Sequence, residues 1–500
     1  MTFLGDEGRD VLVVKRMIVD HKFTLLGPTS SVGGFFLGPV YYYFMIPFLW
    51  AWNLDPVGPA IMVALFGILT VYLVYISGRD MFSESAGFTA SGLYAISPLI
   101  IAYSRSSWNP NIVPFFSLLL IYSLWKLAVT RKAGWSLVAG ICLGIGIQLH
   151  YLFSFLFAVA FIWLGITFIL KLTRSAWVYL ALIIGYLTGN SLFLLFEVRH
   201  GFPNTRSIIQ FIFAGKETGL DPMKFIGTVW FVIYRIFGRL LVRLPEDGML
   251  ANFDPNLTLL WKDSVYVIII ICVTVYIGYF RKSLISFLTS KTGFRSKQAD
   301  DKSGFYSALL TGIWMIVPVI LFGFYKKGIY DYYFGIIFPL PFLLAGLVFD
   351  RFSGFKIWKY LGCLILFIML AVNWQGRPFL YTPNSQLQQA KNIARVAYEK
   401  TGGKPFNFAL LAGNNTDHSY RYFFEIWGNP PVTIENTQID PDRKTVMNQL
   451  IIICEESDCK PLGHPLWEIA GFGRAEIIGQ WDVSFVKIYK LVHYQQPDEN

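Results

Sequence analysis

Ala133–Leu170 reads AGWSLVAGICLGIGIQLHYLFSFLFAVAFIWLGITFIL, a run without a single acidic or basic charge. As one α-helix it would extend about 57 Å, close to twice the roughly 30 Å of a bilayer's hydrocarbon core. It must therefore fold back. Its polar interruption is Gln148-Leu149-His150-Tyr151, and a tight hairpin is expected there.

The rest of the chain repeats this character. Of its 500 residues 54% are hydrophobic, 17% aromatic and only 15% charged, too few charges to coat a water-facing surface. The same balance excludes disorder, and five cysteines in 500 residues exclude a disulfide scaffold. The net charge of +10 could suit nucleic acid, but most Lys and Arg stand in loops between apolar runs. Lipid headgroups and the topology rule account for them better, so no nucleic acid is expected.

Ten stretches are apolar enough to span, at about 57–77, 86–103, 109–129, 134–149, 151–170, 176–198, 264–280, 305–325, 329–349 and 357–374. Arg79, then Lys126, Arg131 and Lys132, then Lys171 and Arg174 fall in alternate loops. Arg281, Lys282, Lys291, Arg295, Lys297 and Lys302 continue the series, which ends at Arg351, Lys356 and Lys359. These loops mark the cytoplasm, so the others face outward. The fold class expected is an α-helical polytopic protein of the plasma (inner) membrane with about ten helices. Residues 1–56 form a first outward loop, 57–375 the membrane core with a long outward loop at 199–263, and 376–500 an outer α/β domain. Phe35–Trp52 is interrupted by Gly38-Pro39 and Pro47, and its Tyr and Trp residues suit an interfacial helix. A chain that begins outside without a signal peptide implies a first transmembrane helix upstream of Met1.

In the long loop, Arg235, Arg239 and Arg243 recur every four residues on a helix expected over Met223–Leu244. Two readings stand: arginines among headgroups, or a clamp on a phosphorylated lipid. Beyond Arg377, Ser385–Lys400 reads as an amphipathic helix, Phe406–Leu411 and Leu450–Cys454 as buried strands, and Ala475–Val492 as two more. Cys454 and Cys459 either pair or stand as two isolated thiols. Cys142, Cys272 and Cys363 lie in expected helices as small hydrophobes.

No metal-ligand spacing, phosphate-cradling glycine loop or nucleophile elbow is present in the sequence. Polar residues gather instead at the expected outer face: Asp6, Glu7, Arg9 and Asp10; Arg105 and Asn109; His150 and Tyr151; Arg199 and His200; Lys326, Lys327 and Asp331. Singly, each reads as a wet loop end or a snorkelling base. The pair Asp6-Glu7 is the exception, because acids make poor headgroup anchors.

The segment Gly5-Asp6-Glu7-Gly8-Arg9-Asp10, followed by Gly38-Pro39-Val40-Tyr41-Tyr42-Tyr43 and a span ending Ile76-Ser77-Gly78-Arg79, resembles the GT-C membrane glycosyltransferases. Within that group it is similar to the protein O-mannosyltransferases and the lipid A aminoarabinose transferases. Ser97-Pro98, Tyr103-Ser104-Arg105, Trp108-Asn109-Pro110-Asn111 and Gln148-Leu149-His150-Tyr151 add to the likeness, which covers about residues 1–375. The resemblance implies eleven or more spans, and transfer of a sugar from a polyprenyl-phosphate carrier to an acceptor hydroxyl at the outer face. The partners it implies are that lipid-linked donor, a protein, lipid or glycan acceptor, and membrane lipids. It makes Asp6 the general base. Glu7 beside it is taken as the second catalytic candidate, or else orients the loop by bonding Arg9 or a backbone amide. The departing phosphate needs cations, for which Arg105, Lys326 and Lys327 are the candidates, with His150 and Arg199 behind them. A single displacement of this kind inverts the anomeric carbon. No resident cofactor is expected, although the acidic pair leaves room for a divalent cation. The aminoarabinose transferases carry a Lys-Pro-Pro element after the first acidic site; here Gly38-Pro39 stands with no lysine.

A transporter or flippase of lipid-linked saccharides is the rival class. Transport sites lie near the midplane on broken helices with buried charges, whereas the acids and bases here sit at span ends. A membrane polymerase or ligase, which needs a large loop with paired arginines, is the second rival.

Overall fold

The computed structural model describes residues 1–30, 32–213, 217–250, 252–289, 299–353, 356–413 and 415–495. Lys291, Arg295 and Lys297, which the topology reading used, lie outside them. The helices run in order α1 Gly5–Val19, α2 Val40–Ala51, α3 Val57–Met81, α4 Glu84–Ile96, α5 Pro98–Tyr103, α6 Val113–Thr130, α7 Ala133–Leu149, α8 Ser154–Ile169, α9 Ala176–Gly189 and α10 Ser191–His200. They continue with α11 Pro203–Phe213, α12 Pro222–Leu241, α13 Asp247–Leu250, α14 Pro255–Thr289, α15 Ala299–Phe322, α16 Pro339–Ser353, α17 Lys356–Gln375, α18 Gln386–Lys400, α19 His418–Ile426 and α20 Trp467–Ala470. Four strands, β1 Asn407–Leu411, β2 Gln449–Cys454, β3 Ala475–Val483 and β4 Val486–His493, complete the chain. Two compact units emerge: 24–44 with 60–382, and 1–23 with 45–59 and 383–500.

The larger unit is a multi-pass bundle. Among the described residues five helices are long and apolar enough to cross a membrane, and α9 with α10, bent by 77° at Asn190, would make a sixth. Hydropathy alone reads ten spans; of the four stretches not counted here, two are broken helices and two, α7 and the described part of α17, are shorter apolar helices. Pro98 starts a new helix and divides 86–103 into α4 and α5. The 329–349 stretch opens as a 3₁₀ turn, Asp331–Ile336, before α16. The 264–280 stretch is one of the five, the middle of the 35-residue α14. At Gln148-Leu149-His150-Tyr151 the chain does leave its helix: α7 ends at Leu149, His150 is extended, and a 3₁₀ turn leads into α8.

Glycines decide how α7 packs. Gly140 and Gly144 on α7 face Gly185 and Gly189 on α9, four residues apart on each helix. A Cβ on Gly140 would come within 2.1 Å of the Leu182 carbonyl oxygen, and one on Gly185 within 2.2 Å of that of Leu137. Between apolar helices in lipid there is little hydrophobic driving force, so close backbone contact through small residues supplies the attraction.

In the smaller unit the sheet order is β1-β2-β4-β3, with β1 parallel to β2 and β4 antiparallel to both β2 and β3. Its core joins Ala409, Leu411, Leu450, Ile452, Phe472, Tyr489 and Leu491. The helix and all four strands read from the sequence are present, and Cys454 is bonded to Cys459.

Replacing Gly140 with Leu should lower the melting point of the detergent-solubilised chain by the equivalent of about 1–3 kcal/mol, the usual cost of overpacking. Gly134→Ala, where a Cβ would meet nothing within 4 Å, is the control and should leave the melt unchanged.

Candidate functional site

A cleft of about 560 Å³ opens in the larger unit between the first turns of α12 and the segment 323–329. Asp221, Met223, Lys224, Thr228 and Phe231 form one wall; Tyr325, Lys326, Lys327 and Ile329 form the other. Two fastenings hold the second wall in place. On one side the 217–219 strand-like segment straps it, with Gly219 N–H donating to Phe324 O at 2.9 Å and Lys326 N–H to Glu217 O at 2.9 Å. On the other, Asp331, 3% exposed, accepts from Arg235 Nε at 2.5 Å and Arg239 Nε at 2.7 Å. Both arginines come from α12, one and two turns past Phe231, so the helix that carries the first wall also grips the end of the second.

This settles what the arginine stripe does. Arg235 and Arg239 neutralise a buried carboxylate, Arg239 also donating to the Leu244 carbonyl at 2.7 Å. Arg243 lies past the end of α12 and donates to the Tyr381 hydroxyl at 2.7 Å. A helix laid flat with all its guanidinium groups among headgroups is not what forms.

Lys326 and Lys327, both anticipated as phosphate ligands, share the cleft, and the exposed Lys224 joins them from the facing helix. Lys327 lies 3.6 Å from Glu217 and Lys224 lies 4.0 Å from Asp221, separations that leave solvent access to both ammonium groups. Exposed pairs of this sort hold their partners weakly, so an incoming anion can compete. Lys224 was missed because a lone lysine on an apolar helix carries no signal until the fold sets it opposite two others.

His150 takes a different part. It is buried, its Nδ1 accepts from Leu152 N–H at 3.2 Å, and its ring stacks on Tyr151 with centroids 4.7 Å apart. Tyr332 and Tyr333 close around it. Such surroundings favour neutral imidazole, so His150 brings no cation to a phosphate. The Tyr151 hydroxyl meets that of Tyr325 at 3.2 Å, which connects this aromatic cluster to the cleft wall. Arg105 and Arg199 are exposed, and neither lines the cleft.

The acidic motif opens α1, in the smaller unit. Gly5 and Gly8 let the helix approach the 415–419 turn so closely that a Cβ on Gly8 would come within 2.5 Å of Ser419 N. Gly5 N–H donates to Asn415 Oδ1 at 3.0 Å, Lys15 lies 3.6 Å from Glu425, and Arg16 pairs with the same carboxylate. Against that support the three acids have separate fates. Glu7 is buried and accepts from Leu4 N–H at 3.1 Å, fixing the helix start. Asp10 is buried beside Arg9 at 2.8 Å, and burial pushes its carboxyl up to about 7 against the pull of that guanidinium. Asp6 keeps 54% of its side chain exposed, with Arg9 at 2.8 Å. Asp6 is thus the one carboxylate of the motif offered to solvent. Among the described residues no three His, Cys, Asp or Glu side chains gather to hold a metal ion.

Two variants test this account. Asp331→Asn leaves Arg235 without its counter-charge and Arg239 with only Glu246 at 3.4 Å, and the melt should fall by the equivalent of about 3–5 kcal/mol. Asp10 behaves oppositely to a surface acid. Its folded state holds the proton more tightly than the unfolded chain, so its stabilising effect fades as pH rises from about 4 to 7. Melting points should be higher at pH 5 than at pH 8, and Asp10→Asn should flatten that difference.

Residues 39–192 match the family model described as dolichyl-phosphate-mannose-protein mannosyltransferase. No curated protein matches the chain in sequence. Among solved structures, ArnT from Cupriavidus metallidurans bound to undecaprenyl phosphate is 12% identical, with 98% of this chain and 94% of that chain covered at a TM-score of 0.59. The same protein in the apo state is 13% identical, with 99% and 95% covered at 0.58. Through the family match over 39–192 and a fold shared along nearly all its length, this multi-pass membrane chain is shown to be similar to the GT-C glycosyltransferases, the group its short motifs resemble.

Proposed function

We propose that the chain is a membrane glycosyltransferase that moves a sugar from a polyprenyl-phosphate carrier to an acceptor hydroxyl, working at the outer face of the plasma membrane. The observation that carries this reading is the lysine cleft: Lys224, Lys326 and Lys327 stand around an opening whose remaining lining includes Met223, Phe231 and Ile329. Cations suit the phosphate and apolar side chains suit an isoprenoid tail. The shared fold supports the same class of ligand, because one of the ArnT structures holds undecaprenyl phosphate.

In the proposed reaction Asp6 takes the proton of the acceptor hydroxyl as its oxygen bonds to the anomeric carbon. The bond from that carbon to the phosphate oxygen breaks, and its electron pair leaves with the polyprenyl phosphate. Attack opposite the departing phosphate inverts the anomeric centre. Asp6 suits the part by its exposure, and Arg9 at 2.8 Å holds its orientation. Lys224, Lys326 and Lys327 stabilise the charge that grows on the leaving phosphate.

The test is release of polyprenyl phosphate from polyprenyl-phosphate sugars in membranes carrying the full chain. Asp6→Asn should cut turnover about 10²–10⁴-fold with expression unchanged. Lys326→Gln combined with Lys327→Gln should lower kcat and kcat/KM together. Turnover indifferent to Asp6→Asn would move the base elsewhere. Absence of turnover with every donor of the native membrane, together with movement of those lipids between leaflets, would replace the transferase by a flippase.

A further inference from the structure

Another cavity, of about 450 Å³, opens in the smaller unit, where β2 and β3 begin and β4 ends. Two loops make its rim, 461–465 and 469–474, and each is fastened from behind. The first follows the Cys454–Cys459 bond. The second is held by Arg443, whose Nη2 donates to the Gly471 carbonyl at 2.6 Å, and by Trp467, whose Nε1 donates to that of Ile434 at 2.9 Å. Gly463 and Gly473 take left-handed backbone, with φ of +71° and +96°, where a side chain would be strained. The rim is thus shaped by the fold itself, and a ligand need not order it.

Where this rim meets solvent it is largely apolar. Leu462 is 50% exposed, and Pro465 and Ala470 are exposed beside it. Two side chains of the lining can carry positive charge. Arg474 is exposed, and its guanidinium group lies over the Tyr494 ring, 4.2 Å from the centroid. Among the described residues it forms neither an ion pair nor a hydrogen bond. His464 is half-buried, and its Nδ1 accepts from Leu466 N–H at 3.2 Å. The neutral ring therefore keeps its hydrogen on Nε2, which is left as a donor. No acidic side chain lines the cavity among the described residues.

An exposed arginine is ordinarily just hydrated. Arg474 differs in that an aromatic ring steadies it at the edge of a formed cavity with solvent-facing apolar walls. The volume falls within the roughly 300–1,000 Å³ usual for small-molecule sites. A guanidinium fork matches the two oxygens of a planar carboxylate, and a single such group answers a single negative charge. Three lysines surround the cleft assigned to phosphate, whereas one arginine and one imidazole N–H stand here. The apolar rim would gain from covering a hydrocarbon body.

We propose that this cavity binds a monocarboxylate with an apolar body. Arg474 and the Nε2–H of His464 take the carboxylate, and Leu462, Pro465 and Ala470 cover the body. A small free acid and the C-terminal residue of a peptide share this chemistry. The site goes beyond the transferase reading and does not rest on it.

The test uses the full chain in nanodiscs, with empty nanodiscs as the blank. N-acetylleucine stands for a peptide's C-terminal residue and hexanoate for a free acid; their uncharged amides and inorganic phosphate are the comparisons. Saturation-transfer NMR should detect at least one of the acids and neither amide. Arg474→Gln should weaken binding of that acid about tenfold or more, and Arg474→Lys, which keeps the charge, should lose less. Leu462→Glu, which sets a negative charge on the apolar rim, should weaken it as well. Both residues are exposed, and an unchanged melting point confirms that the variants fold. A diazirine-bearing version of the bound acid, used on the unaltered chain, should label peptides from 461–475, so the result does not depend on any variant. Failure of both acids to bind, equal binding of an amide, tighter binding of phosphate, labelling elsewhere, or binding unchanged in Arg474→Gln would overturn the proposal. Preference for N-acetylleucine would point to a peptide end as the source and preference for hexanoate to a free acid; either result supports the site.

Discussion

A carboxylate that is 3% exposed, in a chain built to lie in lipid, needs its charge answered on the spot, and at Asp331 two guanidinium groups do so. The geometry of the larger unit's site depends on that contact. Asp331 opens a 3₁₀ turn at the end of a connection that carries Lys326 and Lys327, while its two partners belong to α12, whose first turns carry Lys224. The ion pairs therefore fix the distance between two walls that share no other helix. Removing either side of such a pair costs more than the pair itself contributes, because a desolvated charge is left behind. That asymmetry makes Asp331 a positioning group, fully engaged by its two partners, and leaves the cleft's charge to the lysines.

The smaller unit applies a related economy to its acids. Three carboxylates within five residues would repel one another if all were alike in environment. Burial and hydrogen bonding separate them: Glu7 fixes the helix start, Asp10 retreats into the interior with its carboxyl raised to about 7, and Asp6 alone stays half-exposed. The glycines of the same motif have a packing reason, since Gly5 and Gly8 sit where any side chain would strike the 415–419 turn. A motif that looks purely chemical in the sequence is thus partly a packing motif, and it yields one accessible acid.

Close backbone approach recurs as the means by which apolar helices are held. The Gly140/Gly144 and Gly185/Gly189 contact joins α7 to α9. It also delivers Gln148 to the carbonyl of Gly189, at the point where α9 gives way to α10. The glycine spacing was present in the sequence as a pair of four-residue repeats, and its meaning required knowing that the two helices are neighbours. A cavity of about 140 Å³ lies at the same place, where the packed helices end and the backbone bends.

Composition and hydropathy by themselves determined that this is a helical membrane protein with a small α/β unit at its C-terminal end, since burial in lipid demands long uncharged helices whatever their order. The break at Gln148–Tyr151 was equally legible, because an uncharged run too long for one crossing has to turn at its polar residues. The two C-terminal β-strands 475–483 and 486–493 were readable from alternation, a property of each strand alone. Which helices are truly long was decided by tertiary structure, because Pro98 and the 3₁₀ turn at Asp331 interrupt runs that hydropathy sees as continuous. Tertiary structure also turned Arg235 and Arg239 inward, made His150 a buried neutral ring, and set Lys224 opposite Lys326 and Lys327. Those outcomes are pairings between residues more than a hundred positions apart, in most cases. A single sequence states what each residue could offer, and only the packed fold supplies the partner that decides what it does.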